Sequence, residues 1–576
     1  MPVNLSLPHE QGFAVYGAGD AASAFLASFR EGGAAQKMHC FIDSKRSGFF
    51  EDYPLLNFKE FKKRHGTGLP IVVASSFALE IMLVLDKSAC KKIFLYNFLE
   101  NTLVSDHEVG ELLQRVKTKE LELIANDSRH AKIIAPFIGP YLLHLHRNKF
   151  ESHSYLTKLI KHLLAKADFQ TCKTHLLSLF CQIQSEKAKP NQLASTSVAR
   201  DKLFLYDTIF PSPIGTFAWE EYHNYLKMFP QANIYSLGSD FREIGNQEDF
   251  DRVFENYSTS HPDMAKRVFP FRGELPLAET KLFYTLFLRN IYAFIDLLEA
   301  YDIPFAFTLY SGGEFGLNNP KSDQMIQRVT RSHLFRKVIV CQKIIKEYLV
   351  EKSFVQEERI EFIYGPIAQV EFVKENLKPK RFFPGEKNTF DICFIANRVM
   401  PKGENKGYDI FVETALILAK EEQHIRFHVF GNWSKDDIDT SEIKDKIIFH
   451  GTLPLSKLLE HYKDIDIVLS PSKTFTLAPG DIDGAPNVAT IEAGVAGVAV
   501  FITDDLNQCT EYRSGKELEI IPSEPITISN RILHYFKNPQ KLYKLARNGQ
   551  NKMALVHGYE RQIKPRLSLL NNLLHE

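Results

Sequence analysis

No two cysteines of this chain fall in a C-x-x-C spacing, and the seven present (Cys40, Cys90, Cys172, Cys181, Cys341, Cys393, Cys509) form an odd, scattered set. That distribution excludes a disulfide framework and a cysteine zinc site, and points to reduced core thiols. No apolar run approaches the ~18 residues that a membrane span needs. The best stretch, Leu282 to Ala300, is broken by Arg289, Asn290, Asp296 and Glu299. The opening residues, MPVNLSLPHEQGF, have neither the basic start nor the apolar stretch of a secretory leader. The expectation is a cytoplasmic protein whose membrane contact, if it has one, is peripheral at the inner face. Net charge is missing too: 70 Lys plus Arg balance 70 Asp plus Glu, leaving no global field for nucleic acid or anionic lipid. What the chain has in quantity is aromatic, with 45 Phe and 22 Tyr among 576 residues, which argues against disorder. At roughly 150 residues per domain this is a globular chain of about four folding units.

The first hundred residues alternate apolar runs with helical stretches, from FAVYGAG through HCFID, IVVASS and KIFLYNF. That rhythm is β-α-β with a parallel sheet, and a domain is expected over residues 1–105. From about Glu100 to Arg200 the apolar spacing is helical (VGELLQRV, YLTKLIKHLLAKA, THLLSLFCQI), with no strand pattern. Residues 106–200 therefore read as a helical connector that ends in the polar linker SEKAKPNQLASTSVARDK. Alternation resumes over 201–378 (LFLYDTIF, ANIYSLG, a helix around Lys281 to Tyr301, PFAFTLYSGG, KVIVCQ, RIEFIYG). It continues over 379–576 with DICFIANR, a helix from Tyr408 to Lys420, IRFHVFG, KIIFHG, a helix from Ser456 to Tyr462, DIVLSPS and VAVFITD.

Two segments of the last part carry chemistry. DGAPNVATIEAGVAGVAVFITD, from Asp483 to Asp504, follows an apolar strand. Pro486 suits the first turn of a helix, whose free N–H groups and positive dipole end suit a diphosphate. Glu492, six residues past Pro486, sits a turn and a half in, where a carboxylate reaches a ribose hydroxyl. The bland alternative is a structural helix with an incidental acid. In CFIANRVMPKGENKGYDIFVETA a strand delivers Arg398 into a loop with Lys402 and Lys406 before a helix begins. Cations there stabilise a departing diphosphate, whose charge grows as the anomeric bond breaks. The alternative is a solvated basic loop.

Taken in order, R-x(n)-K-G-Y-D, HVFG, IIFHG, DIVLSPS and DGAPN…EAGVAGVAV resemble the donor-binding half of retaining glycosyltransferases of the GT-B fold, group 1 (family 4) type. The likeness spans about 200–576, with LFLYDTIFPSPIGTF resembling the opening strand and the glycine loop at Gly215. It implies two Rossmann-like domains forming a GT-B unit, an acceptor domain at 201–378 and a donor domain at 379–576. The implied reaction moves a sugar, of hexosyl type, from a nucleotide-diphosphate-sugar donor to a hydroxyl of a glycan or glycolipid, as in surface polysaccharide assembly. By the same resemblance Arg398 and Lys406 hold the diphosphate, Glu492 binds the ribose, and Gly431, Gly484, Ala485, Pro486 and Asn487 line the donor. Two spacings depart from the family. Arg398 and Lys406 are eight positions apart rather than about five, so Lys402 competes for the lysine's role. Asp483 and Glu492 enclose eight residues rather than seven, and Gly484 stands where the first acid belongs. Either Asp483 reaches the sugar through a bulge or backbone groups replace it. TLYSGGEFG lacks the family's frequent histidine, leaving Tyr310, Ser311 and Gly312 as sugar contacts.

At the N-terminus Gly17, Gly19, Asp20 and, 24 residues after Gly19, Asp43 fit a G-x-G-x-x-A nucleotide fingerprint. This stretch resembles the small nucleotide-sugar-binding domains of sugar-modifying enzymes. A degenerate module used for assembly is the alternative. NAD is a minor candidate, because no Tyr-x-x-x-Lys pair occurs in residues 1–105. No other cofactor is required and no metal is expected, since DIDG at 481–484 precedes a helix rather than ending a strand. His428 and His450 read as structural histidines, and KEFKKRH as a solvated helix face. Two rival functions remain: a non-catalytic nucleotide-sugar-binding or assembly protein, and an NAD-dependent sugar-modifying enzyme. The oligomeric state is open.

Overall fold

The computed structural model describes residues 12–31, 38–44, 46–88, 90, 92–97, 102–117, 121–149, 151–164, 172–187, 200–238, 250–273 and 275–576. Most of the linker at 188–200 lies outside the described residues. The chain divides into two compact units, Met1–Lys187 with Arg272–Glu274, and Ala188–Phe271 with Leu275–Glu576. The α/β expectation holds, with a mainly parallel sheet in the first unit and parallel sheets in the second.

In the first unit seven strands run in the order Gly48–Phe50, Tyr53–Asn57, Met38–Asp43, Phe13–Tyr16, Ile71–Val73, Ile93–Asn97, Thr102–Val104. The inner pairings are parallel, and the two outermost are antiparallel. Thr102–Val104 is a strand where the sequence pattern gives none, because three residues are too few to display a period of two. Helices follow at Asp106–Lys117, Leu121–Asn126, Ser128–Arg147, His153–Leu164 and Lys173–Lys187.

The second unit holds two fully parallel sheets. One runs Val268–Pro270, Ala232–Gly238, Lys202–Pro211, Thr280–Leu286, Phe305–Leu309, Phe335–Val340, Ile360–Phe362. The helix expected around Lys281 to Tyr301 is instead strand Thr280–Leu286 followed by helix Leu288–Ala300. The run KLFYTLF lies in mid-sheet, buried on both faces, and such a strand shows no alternation to separate it from a buried helix. The other sheet runs Ile447–Gly451, Ile425–Phe430, Phe390–Ile395, Ile467–Ser470, Ala499–Ile502, Glu519–Ile520. Its central strands put alternate residues into separate cores: Phe390, Ile392, Phe394, Ile467 and Leu469 into one, Cys393 and Val468 into the other.

The last helix, Tyr559–His575, follows the second of these sheets in sequence but packs on the core of the first. Ile563, Leu567, Leu570 and Leu574, at helical spacing, join Leu203, Leu205 and Tyr284 there. Arg566 on that helix is fully buried and lies 3.9 Å from the fully buried carboxylate of Glu221. Glu221 also accepts from the hydroxyls of Tyr225 (2.8 Å), Tyr310 (3.2 Å) and Tyr284.

Candidate functional site

In the 390–520 sheet the strand order reverses between Phe390–Ile395 and Ile467–Ser470. Such a switch point opens a crevice beyond the carboxyl ends of the strands, the usual ligand position in doubly wound folds. The loop leaving Phe390–Ile395 holds Arg398 and Lys406, and the segment after Ile467–Ser470 supplies Ser472 and Lys473.

The first loop is fixed by a neighbour that spacing rules do not reveal. Asn432 accepts from the Arg398 backbone N–H at 2.6 Å, and the Trp433 indole donates to the Ala396 carbonyl at 2.6 Å. Trp433 stacks on Tyr408 with ring centroids 4.2 Å apart. Gly403 passes so close that a Cβ would meet the Trp433 ring at 2.0 Å. Gly407 (φ 70°) closes the loop ahead of helix Tyr408–Glu421, and a Cβ there would strike the Pro471 carbonyl at 1.9 Å.

Lys406 reaches across the switch point to Asp483, Nζ to Oδ2 2.8 Å, with both side chains about one quarter exposed. Lys473, which the motif reading overlooked, pairs with Asp409 at 2.5 Å, and its backbone N–H donates to the Asn405 carbonyl. Lys402 is exposed, in the left-handed region at φ 56°. Arg398 pairs with the buried carboxylate of Asp437. Asp483, Gly484 and Ala485 line an open recess with Ser472, Thr474 and Asp504. Asp504 is held by the N–H groups of Gln508 (2.7 Å) and Cys509 (2.9 Å).

The helix after the recess runs Val488–Val495, with Asn487 as its cap rather than Pro486 as its first residue. The Asn487 side chain accepts from the Thr490 N–H at 3.0 Å and donates to Ser470 Oγ at 3.1 Å. An asparagine satisfies an orphan N–H of the first turn more directly than the expected proline. Glu492 is 4% exposed. Its carboxylate faces the Gln369 N–H (3.5 Å) and the Thr216 hydroxyl, and burial pushes its pKa up to about 7. Thr216 opens helix Thr216–Met228, for which Gly215 is the cap. The structure thus joins Glu492 to the glycine loop of the other sheet.

Further bonds join the two sheets near the recess. Gln342 Nε2 donates to the Asp483 carbonyl (3.2 Å), the Ile344 N–H to Gln508 (3.0 Å) and the Leu317 N–H to the Gly480 carbonyl (2.8 Å). Tyr310 commits its hydroxyl to Glu221, turned into the buried network and away from the role of sugar contact, while Ser311 and Gly312 (φ 82°) stay in the loop beyond the strand. Gly431 (φ 123°) answers to packing, since a Cβ would lie 1.9 Å from the Ala396 carbonyl.

In the first unit Gly17 (φ 140°) and Gly19 form the turn after Phe13–Tyr16, where a Cβ on Gly17 would lie 2.1 Å from the Ala74 carbonyl. Asp43 is occupied by Arg46, which donates to it through Nε (3.1 Å) and Nη2 (2.9 Å) and to the Ala18 carbonyl through Nη2 (2.8 Å). The Asp20 side chain lies outside the described residues.

No curated protein matches the chain. Among solved structures it is similar to a glycosyltransferase from Rickettsia africae, at 14% identity over 66% of this chain and 99% of that one, with a TM-score of 0.45. It is similar to Anabaena HepE in complex with UDP, at 14% identity over 64% and 100% of the two chains, TM-score 0.46. A third is sucrose-phosphate synthase from Thermosynechococcus elongatus, at 13% identity over 65% and 99%, TM-score 0.44. Residues 378–552, under a third of the chain, match the family described as glycosyl transferases group 1. Arg398, Lys406, Asp483 and Glu492 all lie within the segment that matches that family.

Proposed function

We propose that residues 201–576 transfer a hexosyl group from a nucleotide-diphosphate-sugar donor to a hydroxyl of a glycan or glycolipid, with retention at the anomeric carbon. The observation that carries this reading is the Lys406–Asp483 pair at the switch point, inside the segment that matches group 1 glycosyl transferases. The donor diphosphate lies by Lys406 and the capped start of helix Val488–Val495. Lys406 leaves Asp483 to meet the phosphate oxygens, and its charge counts for most as the leaving diphosphate becomes more anionic. Glu492 binds the ribose hydroxyls. Asp483, freed from the lysine, and the backbone of Gly484 and Ala485 face the sugar. Arg398 needs to exchange Asp437 for phosphate to take part. No metal or added cofactor enters this scheme, and the acceptor belongs to surface polysaccharide assembly at the inner face of the membrane.

The test is purified protein with a panel of UDP-, GDP- and CDP-sugars, read by release of nucleoside diphosphate and by transfer to glycan or glycolipid acceptors. Slow donor hydrolysis with one base and faster release on adding acceptor is the expected result. Binding without hydrolysis or transfer favours the non-catalytic reading, which the capture of both Arg398 and Lys406 by carboxylates supports. The Asp43–Arg46 contact weighs against a ribose-binding role for Asp43, and with it against NAD chemistry in the first unit.

A further inference from the structure

We propose that His146, His153 and Glu186 in the first unit form a binding site for a divalent metal ion of the zinc type. His146 stands at the end of helix Ser128–Arg147, His153 opens helix His153–Leu164, and Glu186 is the penultimate residue of helix Lys173–Lys187. One ligand atom from each lies within 4.8 Å of the other two. His146 Nε2 is 3.1 Å from Glu186 Oε1, and His153 Nε2 is 3.3 Å from Glu186 Oε2. A tetrahedral zinc ion with bonds of about 2.0–2.1 Å holds its ligands about 3.3 Å apart, and each imidazole nitrogen stands near that distance from a carboxylate oxygen of Glu186, His146 from Oε1 and His153 from Oε2.

The rings are tilted by 47° with centroids 5.2 Å apart, which is not flat stacking. His146 has its other nitrogen, Nδ1, buried without a hydrogen-bond partner, so Nε2 is the atom through which that ring meets polar company. The side chain of His146 is 4% exposed, whereas those of His153 and Glu186 are 40% and 44% exposed, which leaves an entry path from solvent. Two of the three helices meet the site with their carboxyl ends, whose partial negative charge favours a cation. Two imidazoles and one carboxylate suit zinc over the all-oxygen preference of calcium or magnesium, and a water completes the fourth position. Sequence reading passes over the set because the histidines are seven residues apart and the glutamate lies far down the chain, a spacing that matches no linear metal motif. An ion here clips three helix ends together.

The test uses the full chain without an added histidine tag, stripped with chelator, exposed to Zn²⁺ alone and dialysed. Metal content is read by elemental analysis and the melting temperature by scanning calorimetry. The expected result is about one zinc retained per chain, with a melting temperature raised by a few degrees. Glu186→Gln and His153→Ala, both at partly exposed positions, should lose the retained zinc and the rise while keeping the wild-type circular dichroism. Failure of the stripped protein to retain zinc, or retention that survives in both variants, would overturn the assignment.

Discussion

Lys406 and Lys402 stand four positions apart in one loop and occupy different physical situations. Lys406 is half-buried against Asp483 at the switch point, whereas Lys402 is exposed. Replacing Lys406 by Ala removes a preorganised cation and should lower turnover about a hundred- to thousandfold with folding intact. Lys402→Ala should change it less than about twofold, since exposed charges contribute little. Single-variant kinetics with circular dichroism check both. Glu492 gives a pH signature in the free protein. Burial holds its carboxyl protonated up to about pH 7, against 4.5 ordinarily. Between those values the folded state binds more protons than the unfolded chain, so stability falls as pH rises. Denaturant midpoints measured at about pH 5 and pH 8 should therefore drop less for Glu492→Gln than for the wild type. Lys406, Asp483 and Glu492 were legible because they sit in two local strand-loop-helix patterns, Lys406 in one and Asp483 with Glu492 in the other. Thr216, Asn432, Trp433 and Lys473 were not, because they act across segments that only the folded sheets bring together.

The loop between Phe390–Ile395 and helix Tyr408–Glu421 keeps its shape through close backbone approaches at Gly403 and Gly407 together with the polar bonds of Asn432 and Trp433. Gly407→Ala would force an L-residue to φ 70° at about 1–2 kcal/mol and push its methyl group into the Pro471 carbonyl. The expected outcome is a lower melting temperature together with weakened donor binding, measured by calorimetry with and without donor. Unchanged affinity would mean that the loop does not shape the site. Helix Tyr408–Glu421 agrees with the expected Tyr408–Lys420 because its apolar positions recur with helical spacing up to a strand-initiating break. Strand Thr280–Leu286 was misread because burial on both faces erases the period of two. The helix starts at Val488, two residues after the expected Pro486, because a proline and an asparagine are both good opening signals and Asn487 takes the cap.

At the scale of the molecule, the second unit is tied together by a helix that leaves one sheet and packs on the other. Its buried Arg566 faces Glu221, and removing the cation leaves a buried carboxylate uncompensated. Arg566→Met should therefore destabilise the protein by about 3–5 kcal/mol, whereas a double change that also replaces Glu221 by Gln should recover part of the loss. Urea unfolding of the two variants measures this. The return of that helix was not legible, since its pattern of Ile563, Leu567, Leu570 and Leu574 announces an apolar face but not the sheet that covers it. The proposed reaction stands on a donor site at the switch point of the 390–520 sheet. Isothermal calorimetry of the full chain against nucleotide-diphosphate sugars, repeated with Lys406→Ala, tests it most directly. Saturable binding of one donor class, weakened at least tenfold in the variant, is the expected result. No binding across the UDP, GDP and CDP series, or equal affinity in Lys406→Ala, would contradict it.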